Sequence, residues 1–346
     1  MKAIRWYGEG DVRFEEAPEP TIAHPDDAIL RVTTAAICGS DLHLYHGKIP
    51  KVRPGTIVGH EFVGVVEEVG PGVRRIDTGQ RCVASMMTAC GRCAPCIAGN
   101  HAGCPQFGLF GYGRMFGELE GGQAEYVRVP MADMTLYPVP EGMADEQMLF
   151  VGDILATAYS GCHAASIGHG DSVVVVGAGP VGLLTVECAY LFGPAEVYVV
   201  DLVAARLQRA AELGGIPINA SEHDPLEQLR SMNRGERASV VIEAVGNSSA
   251  LATAWRLAET GGRIALVGVL VDEPFPESAG RTWLRSLSVT SVTGQTIRYR
   301  DTLTQLIQAG RLQPERIISE RIGLDEVPAA YRRIDRRETI KVVINP

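Results

Sequence analysis

Four cysteines fall within fifteen residues, Cys90, Cys93, Cys96 and Cys104, in the run CGRCAPCIAGNHAGC. Thiols at this density close disulfides, hold a nucleic-acid-binding finger, cradle an iron–sulfur cluster, or bind a metal that braces a lobe. Charge argues against the finger. The net charge is −9 and no basic, aromatic-rich stripe appears, so a nucleic acid is not an expected partner. The opening stretch MKAIRWYGEGDVRFEE has no apolar export core, so a cytoplasmic location is expected. In a reducing compartment, clustered thiols bind metal more often than they pair.

A second constellation lies upstream, in CGSDLH (38–43) and GHE (59–61). Cys38, His60 and a carboxylate would form a three-ligand zinc site with an open fourth position, the catalytic arrangement. Each piece alone is weak, because a cysteine ending a strand is usually core and a lone histidine is usually just hydrogen-bonded.

A third pattern is Gly177-Ala-Gly179-Pro180-Val181-Gly182, which follows the apolar run SVVVV and opens an apolar helical stretch. In that context it reads as a dinucleotide signature. The first glycine permits the turn, the second lets backbone approach a pyrophosphate, and the third lets helix pack on strand. The helix N-terminus favours the anion. Asp201 ends the next apolar run, where a carboxylate accepts from the adenosine ribose hydroxyls and repels a 2′-phosphate. That predicts NAD rather than NADP.

These residues need elements to hold them. The length, 346 residues, suggests two domains. Residues 1–152 show short β-branched runs such as DAILRVTTAAIC, HEFVGVVEEVG and AEYVRVP, punctuated by glycine turns. This predicts an irregular β-barrel-like domain, which residues 289–346 are expected to complete. Residues 153–288 alternate strand-like and helix-like segments, predicting a doubly wound parallel sheet. The segment from Ser172 to Phe192 is long enough to span a membrane, but the glycines and Pro180 near its middle favour strand, turn and buried helix. No membrane partner is expected.

Taken in order, these motifs resemble the zinc-dependent medium-chain alcohol dehydrogenases, over the whole chain. GHEFVGVVEEVGPGV looks like the family's zinc signature, the cysteine spacing is that of its structural zinc, and VVVVGAGPVG with Asp201 matches its cofactor half. The resemblance is nearest to bacterial NAD-dependent members, close to the glutathione-independent formaldehyde dehydrogenases. It implies a GroES-like catalytic domain and a Rossmann domain, with two zinc ions per chain. It places Asp153 as third ligand of the catalytic zinc, with Glu61 as the competing carboxylate, and Asp41 behind His60. Cys90, Cys93, Cys96 and Cys104 become the structural zinc site; the bacterial ferredoxin run closes with three intervening residues, not seven. Ser40 and His43 match the family's proton relay from the alcohol hydroxyl through the nicotinamide ribose to solvent. Arg206 is expected along the adenosine ribose, and the Val269 backbone against the nicotinamide amide. Gly39 stands where some members carry a basic residue near the pyrophosphate, and Lys341 is expected to take that role. Met86 and Met87 fall where the family lines its substrate pocket.

The implied reaction is hydride transfer between a primary or secondary alcohol and NAD, giving aldehyde or ketone. Polyol, sugar or threonine dehydrogenation and formaldehyde oxidation or dismutation use the same apparatus. A non-catalytic dinucleotide-binding relative would show erosion of Cys38, Ser40, His43 or His60, and all four are present. By resemblance a homotetramer is expected, with a dimer as the alternative. His46, His101, His163, His169 and His223 are expected at the surface or in turns.

Overall fold

Short β-branched runs become strands in both halves of the chain, and glycines at positive φ turn most of the corners. The computed structural model describes residues 1–271 and 274–346. These form two units, Met1–Ala156 with Gln295–Pro346, and Thr157–Gly294. The first boundary falls inside the helix Ile154–Ala164.

In the first unit the strand Ala28–Ile37 is the spine. It pairs antiparallel with Glu61–Val69, Tyr126–Val129 and Val342–Asn345. The C-terminal strand thereby closes a sheet begun near the N-terminus. Alternate residues fill one core: Leu30, Val32, Phe62, Val66, Val127 and Ile344 are all buried. Burying each such side chain is worth about 1.5–3 kcal/mol.

In the second unit, Ser172–Val176 is central. Parallel strands flank it in the spatial order Ile216–Asn219, Glu196–Asp201, Ser172–Val176, Ala238–Glu243, Ala258–Leu266, Ser288–Ser291. This is the dinucleotide-binding order, which reverses direction at the central strand. Val173, Val174 and Val175 are fully buried, as an apolar run covered on both faces must be. Among the described residues, no helix is long and apolar enough to cross a membrane.

Candidate active site

Cys38 leaves the end of the strand Ala28–Ile37, and Ser40 precedes the short helix Asp41–Tyr45. His60 follows Gly59, whose φ is +95°, and precedes the strand Glu61–Val69. A side chain at Gly59 would be strained by that φ and would also press its Cβ to 2.4 Å from Gln123 Cγ. The turn brings His60 beside Cys38. Ser40 Oγ donates to Cys38 Sγ at 3.2 Å and lies 3.4 Å from His60 Nε2. Behind the ring, His60 Nδ1 is 3.1 Å from Asp41 Oδ1, and the Cys38 backbone N–H donates to Asp41 Oδ2 at 3.0 Å. An imidazole held this way directs Nε2 forward.

Asp153 sits just before the helix Ile154–Ala164, with Oδ2 3.1 Å from His60 Nε2. Cys38, His60 and Asp153 are buried, and one ligand atom from each lies within 4.8 Å of the others. Zinc bonds of about 2.0–2.3 Å in tetrahedral array separate ligand atoms by roughly 3.3–3.8 Å, so the set fits such an ion. Electrostatics agree. Burial, with Glu61 and Asp153 adding to it, raises the Cys38 thiol pKa, so a nearby cation is what would hold it as thiolate.

Glu61 lies beside that group, hydrogen-bonded to Asp153, but is not one of its three converging ligands. Its carboxylate is paired with the Lys341 ammonium, and both side chains are fully buried. Burial pushes Glu61 up to about 7 even with Lys341 pulling it down. Lys341 also donates to the Ile37 carbonyl at 3.0 Å and lies 5.3 Å from the Phe150 ring centre. The pyrophosphate contact expected of Lys341 is therefore corrected. An ammonium with no exposed surface must be neutralised where it lies, and Glu61 does that.

His43, half-buried, occupies the third position of the helix that Asp41 begins. Sequence reasoning missed Tyr112. Its ring stands edge-on to His60, centres 5.4 Å apart, and the residue is 7% exposed. It lies in a glycine-rich loop with no periodicity to mark it.

The four clustered cysteines also converge, one sulfur from each within 4.8 Å of the others, and all are unpaired thiols. Cys93 precedes the four-residue helix Ala94–Ile97, Cys96 lies within it, and Cys104 follows a single 3₁₀ turn. Cys90 and Gln106 direct backbone N–H groups at the Cys104 sulfur, 3.3 and 3.4 Å away. A backbone N–H from Arg92 leads in drawing the Cys90 thiol down to about 6, while burial pushes Cys96 up to about 12. The apolar cluster here is small: Met87, Ala89 and Ile297 are its buried members besides the cysteines. Met87 is thus core, while Met86 is only partly buried against it. His101 is in a turn as expected, but buried.

In the second unit Gly177, at φ +102°, ends the central strand and Pro180 opens the helix Pro180–Tyr190. A Cβ on Gly182 would lie 1.8 Å from the Gly177 carbonyl oxygen, whereas one on Gly179 would meet nothing within 4 Å. The third glycine serves packing, and the second fronts open space where a pyrophosphate could approach. Val181, half-buried, is in the first helical turn. Asp201 Oδ2 accepts from Ala178 N at 2.7 Å; Oδ1 accepts from Leu202 N and Val203 N at 2.7 and 2.9 Å. Asp201 thus ties the glycine turn to the next loop. Arg206 lies in the first turn of the helix Ala204–Glu212. The exposed Val269 has its backbone against Gly246.

The profile of the alcohol dehydrogenase GroES-like domain matches residues 24–141, and that of the zinc-binding dehydrogenases matches residues 180–309. A protein of Mycobacterium tuberculosis named "Probable zinc-binding alcohol dehydrogenase" is 36% identical, over 100% of this chain and 89% of its own. The chain belongs to the zinc-dependent medium-chain alcohol dehydrogenases. Among solved structures, the alcohol dehydrogenase TADH from Thermus sp. ATN1 superimposes with TM-score 0.94 at 42% identity, covering 100% of this chain and 99% of that one. A zinc-binding dehydrogenase of Sinorhizobium meliloti 1021, bound to NADP, gives TM-score 0.87 at 31% identity, with 100% and 99% covered. This dehydrogenase is accordingly an alcohol oxidoreductase, working with zinc and a nicotinamide dinucleotide.

Proposed function

We propose that the enzyme oxidises a primary or secondary alcohol with NAD, and that Cys38, His60 and Asp153 hold the catalytic zinc. The convergence of these three buried side chains within 4.8 Å carries the reading. Asp153 is preferred to Glu61 as third ligand because Lys341 already holds the Glu61 carboxylate. When bound, the zinc supplies Lewis acidity to the substrate oxygen. Asp41 keeps His60 in the Nδ1–H tautomer. Ser40 Oγ, between Cys38 and His60, would accept the alcohol proton while passing its own onward, and His43 in the adjoining helix would release it to solvent. Tyr112 covers the His60 ring and excludes water from that side. The four-cysteine set holds a second, structural zinc.

Asp201 supports NAD over NADP because a 2′-phosphate would meet its charge. Arg206 is the cation that could oppose this. The homotetramer, or the dimer as alternative, follows from the family resemblance, and exposed apolar surface supports self-association. Trp283 and Leu284 are 76% and 71% exposed, close in sequence to the edge strand Ser288–Ser291. Ile97 on the cysteine lobe is 77% exposed. The deciding experiment is NADH formation by the purified protein with primary alcohols, secondary alcohols, polyols, threonine and formaldehyde. Turnover of simple alcohols supports the reading, and a ranking led by polyols or threonine replaces the substrate class. No turnover with any of them, with zinc and NAD bound, overturns it.

A further inference from the structure

Gln123 is fully buried in the first unit, and its backbone is held at both ends, donating to Val58 O at 3.0 Å and accepting from Ile4 N at 2.9 Å. Its side-chain amide is engaged throughout. Nε2 donates to Ala36 O and to Asp41 Oδ2, both at 3.2 Å, while Oε1 accepts from the Tyr331 hydroxyl at 3.1 Å. Tyr331 lies on the helix Val327–Asp335, is also fully buried, and packs its ring 5.5 Å from that of Tyr45. The Ala36 carbonyl and the Asp41 carboxylate can only accept, so they dictate that Nε2 faces them and that Oε1 is left to the Tyr331 hydroxyl, which donates.

The consequence falls on Asp41. Its Oδ2 receives two N–H groups, from the Cys38 backbone and from Gln123, which leaves Oδ1 to the His60 ring. A buried amide left unsatisfied is destabilising, and an apolar residue would fill the same space without that risk. Here two of the three polar contacts of the Gln123 side chain connect Tyr331 to Asp41, and the third fixes the amide on the Ala36 carbonyl.

We propose that Gln123 and Tyr331 are positioning residues for the catalytic zinc: by locking the Asp41 carboxylate they fix His60, and so set how tightly the ion is held. The proposal rests on Cys38, His60 and Asp153 being the zinc ligands. It ties metal retention to the C-terminal helix, which supplies none of those ligands.

The test is zinc release. Parent enzyme, loaded with zinc, is mixed with a chromogenic pyridylazo chelator, and the amplitude and rate of each release phase are recorded. Cys38→Ser identifies which phase belongs to the catalytic site; if it removes no phase, the ligand assignment itself fails. With that phase identified, Gln123→Leu is expected to release this zinc roughly 10–100-fold faster, in line with outer partners of metal ligands, leaving the four-cysteine phase unchanged. Tyr331→Phe, which removes one oxygen, is expected to accelerate the same phase several-fold. Cobalt substitution gives a second reading, as the visible spectrum of the catalytic ion should shift in both variants. Release rates within twofold of the parent in folded Gln123→Leu and Tyr331→Phe overturn the proposal. If Gln123→Leu does not fold, Tyr331→Phe alone decides. Equal acceleration of both phases would mean general loosening and would also overturn it.

Discussion

Ser40 shows what one hydroxyl can do in a buried site. It contacts Cys38 and lies near His60 without being an expected ligand. Ser40→Ala is therefore expected to lower kcat by about 10²–10⁴, the usual range for a lost proton-transfer group, with zinc content unchanged. Steady-state rates beside metal analysis check this; unchanged kcat sinks the relay. Asp201 is a second single-residue test. Asp201→Ser is expected to raise kcat/KM with NADP relative to NAD by at least tenfold, as repulsion of the 2′-phosphate disappears. It should also cost some stability, because Asp201 bonds three backbone N–H groups. Lys341→Met leaves Glu61 buried without its cation. Breaking such a pair costs about 3–5 kcal/mol, to be read from urea denaturation at neutral pH.

At the level of elements, the cysteine lobe has little core of its own, and the proposed structural zinc is expected to hold it. A four-residue helix, one 3₁₀ turn and a two-stranded pair cannot bury enough apolar surface to order themselves. A structural zinc contributes on the order of 10 kcal/mol. Cys93→Ser is thus expected to expose residues 90–120 to proteolysis while the parallel-sheet unit stays resistant, which limited digestion with mass analysis would show. Acid should have the same effect. Protons compete with zinc for the thiolates, so lowering the pH weakens the site and raising it restores the site. In the parallel-sheet unit, Gly182→Ala would drive a methyl into the Gly177 carbonyl and misplace the glycine turn.

At the scale of the whole molecule, exposed apolar surface bears on the proposed assembly. An edge strand with exposed Trp283 and Leu284 close by in sequence is costly to leave in water. The double variant Trp283→Lys, Leu284→Lys is expected to reduce the oligomer by at least one level, measured by light scattering. An unchanged mass would place the interface elsewhere.

Local chemistry is legible in the sequence itself. The four-cysteine spacing, the glycine turn after a valine run, and Cys38 with Ser40 each lie within a few residues of chain, where spacing and geometry are nearly the same thing. The alternation of strands and helices likewise announced a parallel sheet, because a strand buried on both faces must be apolar throughout. What tertiary structure alone decided were pairings between distant residues. Glu61 and Asp153 are both carboxylates that the chain could bring to zinc, and only packing turned Glu61 towards Lys341 and Asp153 towards His60. Lys341 read as a phosphate-binding cation until the sheet formed by the C-terminal strand enclosed it. Gln123 and Tyr331 carried no signal, since a polar residue's partners in a core depend on which faces meet, and that is settled only when the sheet and the C-terminal helix pack together.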